Sequence, residues 1–222
     1  MNKAKNILED CWEIFKKNWK QMTVFALIFS LLTILFTLLD ESLQANKFYS
    51  DYLASLANLI VSSFLALGAI RVSLLFYNKK PVNLGHFFNN WKIFGKYMLA
   101  SLLKSLTIIS PVIVWIMIGG IPGMQKEVLI ALGAVAICLC VFLAISFAFT
   151  DYFIIDKDTE IIAAFKKSWA TTKGAKMRLL LMFLGLIILN LIGFAAILVG
   201  LLVTIPLTWL IMVRAYKTLS KK

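Results

Sequence analysis

Residues able to carry chemistry are scarce in this 222-residue chain, which holds one histidine, three cysteines and 11 acids. His86 has no Ser or Cys partner in a recognisable nucleophile motif. No H-E-x-x-H, P-loop, G-x-S-x-G or glycine-rich dinucleotide fingerprint occurs. Paired carboxylates inside the apolar runs are missing too, so a hydrolase, a metalloenzyme or an ATP-driven pump would lack its minimum parts. No enzymatic activity, cofactor or metal is expected. Cys11, Cys138 and Cys140 supply no disulfide framework. Cys138 and Cys140, two residues apart, turn away from each other on a helix and read as small core residues.

Charge is scarce as well. Only 15% of residues are charged and 61% are apolar, against roughly 45–50% apolar in a soluble domain. The apolar residues gather into six runs, near 22–39, 54–76, 101–119, 128–150, 179–195 and 199–216. Each is about the 20 residues that one helical crossing of a bilayer requires. Strands of a membrane barrel would alternate polar and apolar, and no such alternation is present. The expected fold is therefore an all-α membrane protein with six transmembrane helices.

The net charge of +12 resides mainly in every second gap between the runs; the other gaps hold just Lys47 and Lys126 of the 23 lysines and arginines. Short loops rich in Lys and Arg stay cytoplasmic, so both termini and the basic gaps are expected inside. The outer connections are then 40–53, with Asp40, Glu41, Lys47 and Asp51, then 120–127, and an uncharged turn between Gly193 and Gly200. About twenty residues, acids among them, precede the first run, which reads as a retained span rather than a cleaved leader. Basic clusters beside spans point to anionic lipid, not to nucleic acid, which needs a folded basic face. No Pro- or Ser-rich linker divides residues 1–222, so a single integral membrane domain is expected.

A repeat lies beneath this pattern. Trp12, Trp91 and Trp169 are 79 and 78 residues apart, and W-E-I-F-K-K from Trp12 matches W-K-I-F-G-K from Trp91 at four of six positions. Without gaps, Asn78-Lys79 aligns with Asp156-Lys157, Phe87 with Phe165, and Asn90-Trp91 with Ser168-Trp169. The third copy then departs, reading W-A-T-T-K-G. Three parallel pseudo-repeats, 1–77, 78–155 and 156–222, would each carry an interfacial helix, an outward span and a returning span. The alternative is that tryptophan is simply common at membrane interfaces.

Each tryptophan falls on an amphipathic segment. Ala4, Ile7, Leu8, Cys11, Trp12, Phe15 and Trp19 form one helical stripe, with Lys3, Lys5, Glu9, Glu13, Lys16, Lys17 and Lys20 off it. Leu84, Phe87, Phe88, Trp91 and Phe94 repeat the spacing after Pro81, a good helix start. In the third segment Asp158 or Thr159 is placed to cap a helix through Ile162, Phe165 and Trp169. Such helices suit the headgroup layer. The lipid-interface candidates are Trp12, Trp91, Trp169, Lys16, Lys17, Lys96 and Lys173; the plainer reading is that these segments only join spans.

Polar groups within the runs are few. Lys104 lies less than one turn inside the third span, where it can snorkel to the cytoplasm, with a transport role as the alternative. Arg71, Asp151 and Arg214 sit near the inner ends of the returning spans; either Asp151 pairs with one of the arginines or all three are independent boundary residues. Asn190 needs a partner near the middle of the fifth span, and an interhelical hydrogen bond is the ordinary solution. Pro111 and Pro206 should leave the carbonyls of Thr107 and Leu202 unpaired.

The stretch D-Y-F-I-I-D-K-D-T-E-I-I-A-A-F-K-K-S-W-A-T-T-K-G from Asp151, then G-F-A-A-I-L-V-G-L-L-V-T-I-P and R-A-Y-K-T-L, resembles a bacterial family. It is similar to the polytopic membrane domain fused to some glycerophosphodiester phosphodiesterases, and to stand-alone inner-membrane proteins related to that domain. The likeness covers the last third well and the N-terminal segment loosely. It implies a bacterial cytoplasmic membrane and lipid or envelope physiology, and it transfers no catalytic residue because the phosphodiesterase barrel is absent. The expected function is a non-enzymatic scaffold or regulatory membrane protein whose partners are anionic lipids or other membrane proteins. The alternative is a small transporter or channel with a path between helical hairpins.

Overall fold

The six apolar runs become six long helices. A computed structural model describes residues 2–45, 51–88, 91–120, 125–196 and 200–221, and every regular element among them is helical. In chain order these are α1 (Asn2–Ala45), α2 (Asp51–Tyr77), α3 (Leu84–Phe88), α4 (Trp91–Gly119), α5 (Lys126–Ser146), α6 (Thr150–Lys157), α7 (Ile161–Thr172), α8 (Lys176–Ala195) and α9 (Leu201–Leu219). Helices α1, α2, α4, α5, α8 and α9 contain stretches long and apolar enough to cross a bilayer. Lys47, Asn90 and parts of the expected outer connections, 46–50, 121–124 and 197–199, lie outside the described residues.

Contacts divide the chain into two compact units, Met1–Met98 with Phe183–Lys222, and Leu99–Met182. In the first, α1 packs on α2 and α9. Its buried edge is Cys11, Phe15, Met22, Phe25 and Ala26, a three-to-four-residue spacing that keeps one face of a helix inward. Leu67, Val72 and Phe76 of α2 and Leu210, Val213 and Tyr216 of α9 complete this core. Phe25 meets Phe76 edge to face at 6.1 Å, and Phe29 meets Trp209 at 5.4 Å. The expected stripe is thereby split: Cys11 and Phe15 are buried, whereas Leu8, Trp12 and Trp19 face outward. The first segment and first span are also one helix, kinked at Asn18 (φ −119°, ψ 19°), whose Nδ2 donates to the Ile14 carbonyl at 3.0 Å.

In the second unit the fourth expected span, 128–150, is divided. Helix α5 ends at Ser146 and α6 starts at Thr150, with no glycine or proline in the three residues between. Side chains from α7 repair the broken backbone. Ser168 Oγ accepts the Phe149 N–H (3.2 Å) and donates to the Ser146 carbonyl (2.9 Å), which also receives Thr172 Oγ1 (3.2 Å). The Thr150 N–H, which an unbroken helix would aim at Ser146, goes to the Phe147 carbonyl instead. Ser146, Phe149, Thr150, Ser168 and Thr172 are all fully buried, so each of these partners replaces water that the backbone could not reach.

Three local expectations change. Asp158 does not cap α7: it ends α6 in the left-handed conformation (φ 46°), which a short polar side chain tolerates, and Glu160 takes the N-cap position without a side-chain cap bond. The second segment falls on α3 and the start of α4, and residues 89–90 between them lie outside the described residues. Cys138 is exposed and Cys140 intermediate, so neither is a core residue. The Thr107 carbonyl, freed by Pro111, accepts Ser110 Oγ at 2.8 Å.

Candidate functional site

The three recurring tryptophans point away from their cores. Trp12, Trp91 and Trp169 are 48%, 70% and 39% exposed, and each rests one side of its ring on phenylalanine. Trp12 stacks on Phe15, one turn along the same helix, at 5.6 Å. Trp91 lies 4.9 Å from Phe64 of α2 and 6.1 Å from Phe94. Trp169 lies 5.7 Å from both Phe142 of α5 and Phe147, and Phe147 is 5.0 Å from Phe165. Tilted and edge-on rings at these separations attract beyond their shared burial. Each indole is thus pre-positioned rather than swinging free.

The pairs Phe64–Trp91 and Phe142–Trp169 have the same separation in sequence, 27 residues. A search for phenylalanines at the tryptophan offset would have found this. The third copy's missing phenylalanine is Thr172, and its hydroxyl serves the α5–α6 break described above.

The cation nearest these rings is one that spacing alone did not single out. Lys176 Nζ stands 3.3 Å from the Phe142 ring centroid and 4.3 Å from that of Trp169, within the range of a cation–π attraction. Lys173, the expected candidate, is exposed in the turn just before it. Lys16 and Lys17 are exposed on α1. Lys16 borders an open groove of about 290 Å³ formed with Trp12, Phe15, Trp19, Thr23, Leu202 and Val203. Lys96 is half-buried on α4.

The intramembrane polar candidates find specific partners, not all of them the expected ones. Lys104 does not run free to one side: its ammonium donates to Asp151 Oδ2, and both side chains are largely buried. Of the two alternatives for Asp151, pairing with Arg71 or Arg214 or standing as an independent boundary residue, neither describes this contact. Asp151 lies in the first turn of α6, where a carboxylate also favours the N-terminal end of the dipole. Asp151 Oδ1 has no hydrogen-bond partner among the described residues.

Arg214 instead donates to Asp10 Oδ2 at 2.7 Å and to Tyr77 Oη at 2.8 Å, joining α9 to α1 and α2. Arg71 is half-buried on α2. Neither Asp10 nor Tyr77 stood out in the sequence, since their separations from Arg214 are 204 and 137 residues. Asn190 Nδ2 donates to the Leu186 carbonyl (2.8 Å) and to Thr208 Oγ1 (3.0 Å), a bridge from α8 to α9. His86 of α3 accepts the Asn83 N–H on Nδ1 at 3.1 Å, just ahead of that helix.

Among the described residues, no three of His, Cys, Asp and Glu converge as metal ligands. The arrangement offers exposed indoles, ammonium groups beside them, and paired charges that tie helices. No family model, curated protein or solved structure matches the chain.

Proposed function

We propose that this is a multi-pass protein of a bacterial cytoplasmic membrane, with both termini cytoplasmic, that acts without catalysis as a lipid- or envelope-associated scaffold. The observation that carries the reading is the set of outward tryptophans, Trp12, Trp91 and Trp169, each braced by phenylalanine. Indole rings of this kind belong at the headgroup level, where nearby lysines meet anionic phosphate. The basic gaps of the sequence supply the orientation. The repeated Phe64–Trp91 and Phe142–Trp169 pairing supports descent of these segments from one repeated unit, and the resemblance to phosphodiesterase-linked membrane domains fits the same setting.

The transport alternative draws less support. The amide of Asn190 is engaged by Leu186 and Thr208, and the hydroxyls of Thr107 and Ser110 bond carbonyls of their own helix. The polar groups that a path would use are Asn190, Ser105, Thr107 and Thr204, and of these Asn190 and Thr107 are engaged in this way.

The test is lipid selectivity of the full-length protein in nanodiscs, read by native mass spectrometry as retained phosphatidylglycerol against phosphatidylcholine. The wild type is expected to retain the anionic lipid preferentially, and the triple variant Trp12→Ala, Trp91→Ala, Trp169→Ala to lose that preference. An unchanged lipid pattern in the triple variant would overturn the scaffold reading. Tags at residues 80–96 or 157–176 that report a periplasmic location would overturn the orientation.

A further inference from the structure

Three cations crowd the junction of α7 and α8. Gly174, in the left-handed region (φ 79°), lets the chain turn between the two helices, and Lys173, Lys176 and Arg178 lie within six residues around it. Elsewhere two cations of this protein meet carboxylates: Lys104 with Asp151, and Arg214 with Asp10. At this turn no carboxylate or other acceptor among the described residues meets any of the three. Lys176 is nevertheless held in place. Its ammonium sits against the faces of Phe142 and Trp169, at 3.3 and 4.3 Å from the ring centroids.

A ring face attracts the positive charge but accepts no conventional hydrogen bond from it. The ammonium is therefore positioned, partly stripped of water by two rings, and left with N–H donors for an oxygen that none of the described residues provides. The charge complement of such a group is an anionic oxygen, and the exposed Trp169 beside it suits a lipid interface.

We infer that Lys176, clamped by Phe142 and Trp169, is a binding site for the headgroup phosphate of an anionic phospholipid. The site rests on the lipid-contact reading above and sharpens it to one turn of the chain. The corresponding place after Trp91 carries Met98 instead of a lysine. Among the described residues no ammonium is seated on Phe64 or Trp91. The site is accordingly a property of α5, α7 and α8, not of every tryptophan.

The test compares full-length wild type with Lys176→Gln, Lys176→Arg and the control Lys126→Gln, an exposed lysine of α5. Each is titrated with phosphatidylglycerol and, separately, phosphatidylcholine by native mass spectrometry. K176Q is expected to weaken phosphatidylglycerol binding about fivefold, the equivalent of roughly 1 kcal/mol for one headgroup contact. Phosphatidylcholine binding should be unchanged, K176R should retain most of the affinity, and K126Q should match wild type. Equal affinity of K176Q and wild type for phosphatidylglycerol would overturn the site while leaving the scaffold reading to its own triple tryptophan test. Excess inorganic phosphate should not displace the lipid. Complete displacement would identify a free phosphate ligand and overturn the lipid assignment.

Discussion

The two units solve the same electrostatic problem at different degrees of enclosure. In the first, Arg214 and Asp10 form their pair with side chains 33% and 46% exposed, and Tyr77 shares the guanidinium. In the second, Lys104 and Asp151 are 19% and 11% exposed, next to a helix break whose backbone is satisfied in part by side chains. A pair open to solvent adds little, because water competes for both charges and salt screens them. Removing one member of an enclosed pair leaves the other charge stranded. Similar chemistry should thus be nearly expendable in one unit and indispensable in the other.

The largest effect is expected from Asp151→Ala, which strands Lys104. It should lower stability in detergent by about 3–5 kcal/mol, and the double variant Lys104→Met, Asp151→Leu should recover most of the loss. A thermal or denaturant titration in which the single variant equals wild type would erase the contrast between the units. Ser168→Ala comes next, since it deprives the buried Phe149 N–H of its acceptor and the Ser146 carbonyl of one donor. The expected loss is about 1–3 kcal/mol, and Ser168→Thr should restore part of it if the hydroxyl can be accommodated.

Asn190→Leu sharpens the comparison from the other unit. It breaks the α8–α9 bridge to Thr208, whose expected worth is about 0.6–1.7 kcal/mol, the range for hydrogen bonds between membrane helices. Asp10→Asn should change least, at about 0–1 kcal/mol, and the effect should shrink further in high salt. A loss from Asp10→Asn as large as that from Asp151→Ala would mean that enclosure is not what separates the two pairs.

Much of the helical content could be read from local pattern. The runs at 54–76, 101–119 and 179–195 fall inside α2, α4 and α8, because a long apolar run has to satisfy its own backbone and a helix does so with near neighbours. The break after Ser146 could not be read this way. Phe147, Ala148 and Phe149 carry no helix-breaking side chain, and what ends α5 there is Ser168 and Thr172 arriving from α7. The tryptophans were legible from their spacing. Phe64 and Phe142 were legible in principle by the same offset, but they became meaningful only once each was seen against its tryptophan.

Apolar run length and the placement of lysines and arginines alone determined six helices apt for a bilayer and pointed to the segments between them, because both depend on residues within one or two turns. Which acid meets which base, and which lysine rests on which ring, was decided by the tertiary structure. Lys104 and Asp151 are 47 residues apart, Asp10 and Arg214 204. Contacts at that range arise from the packing of helices, which no local pattern reveals.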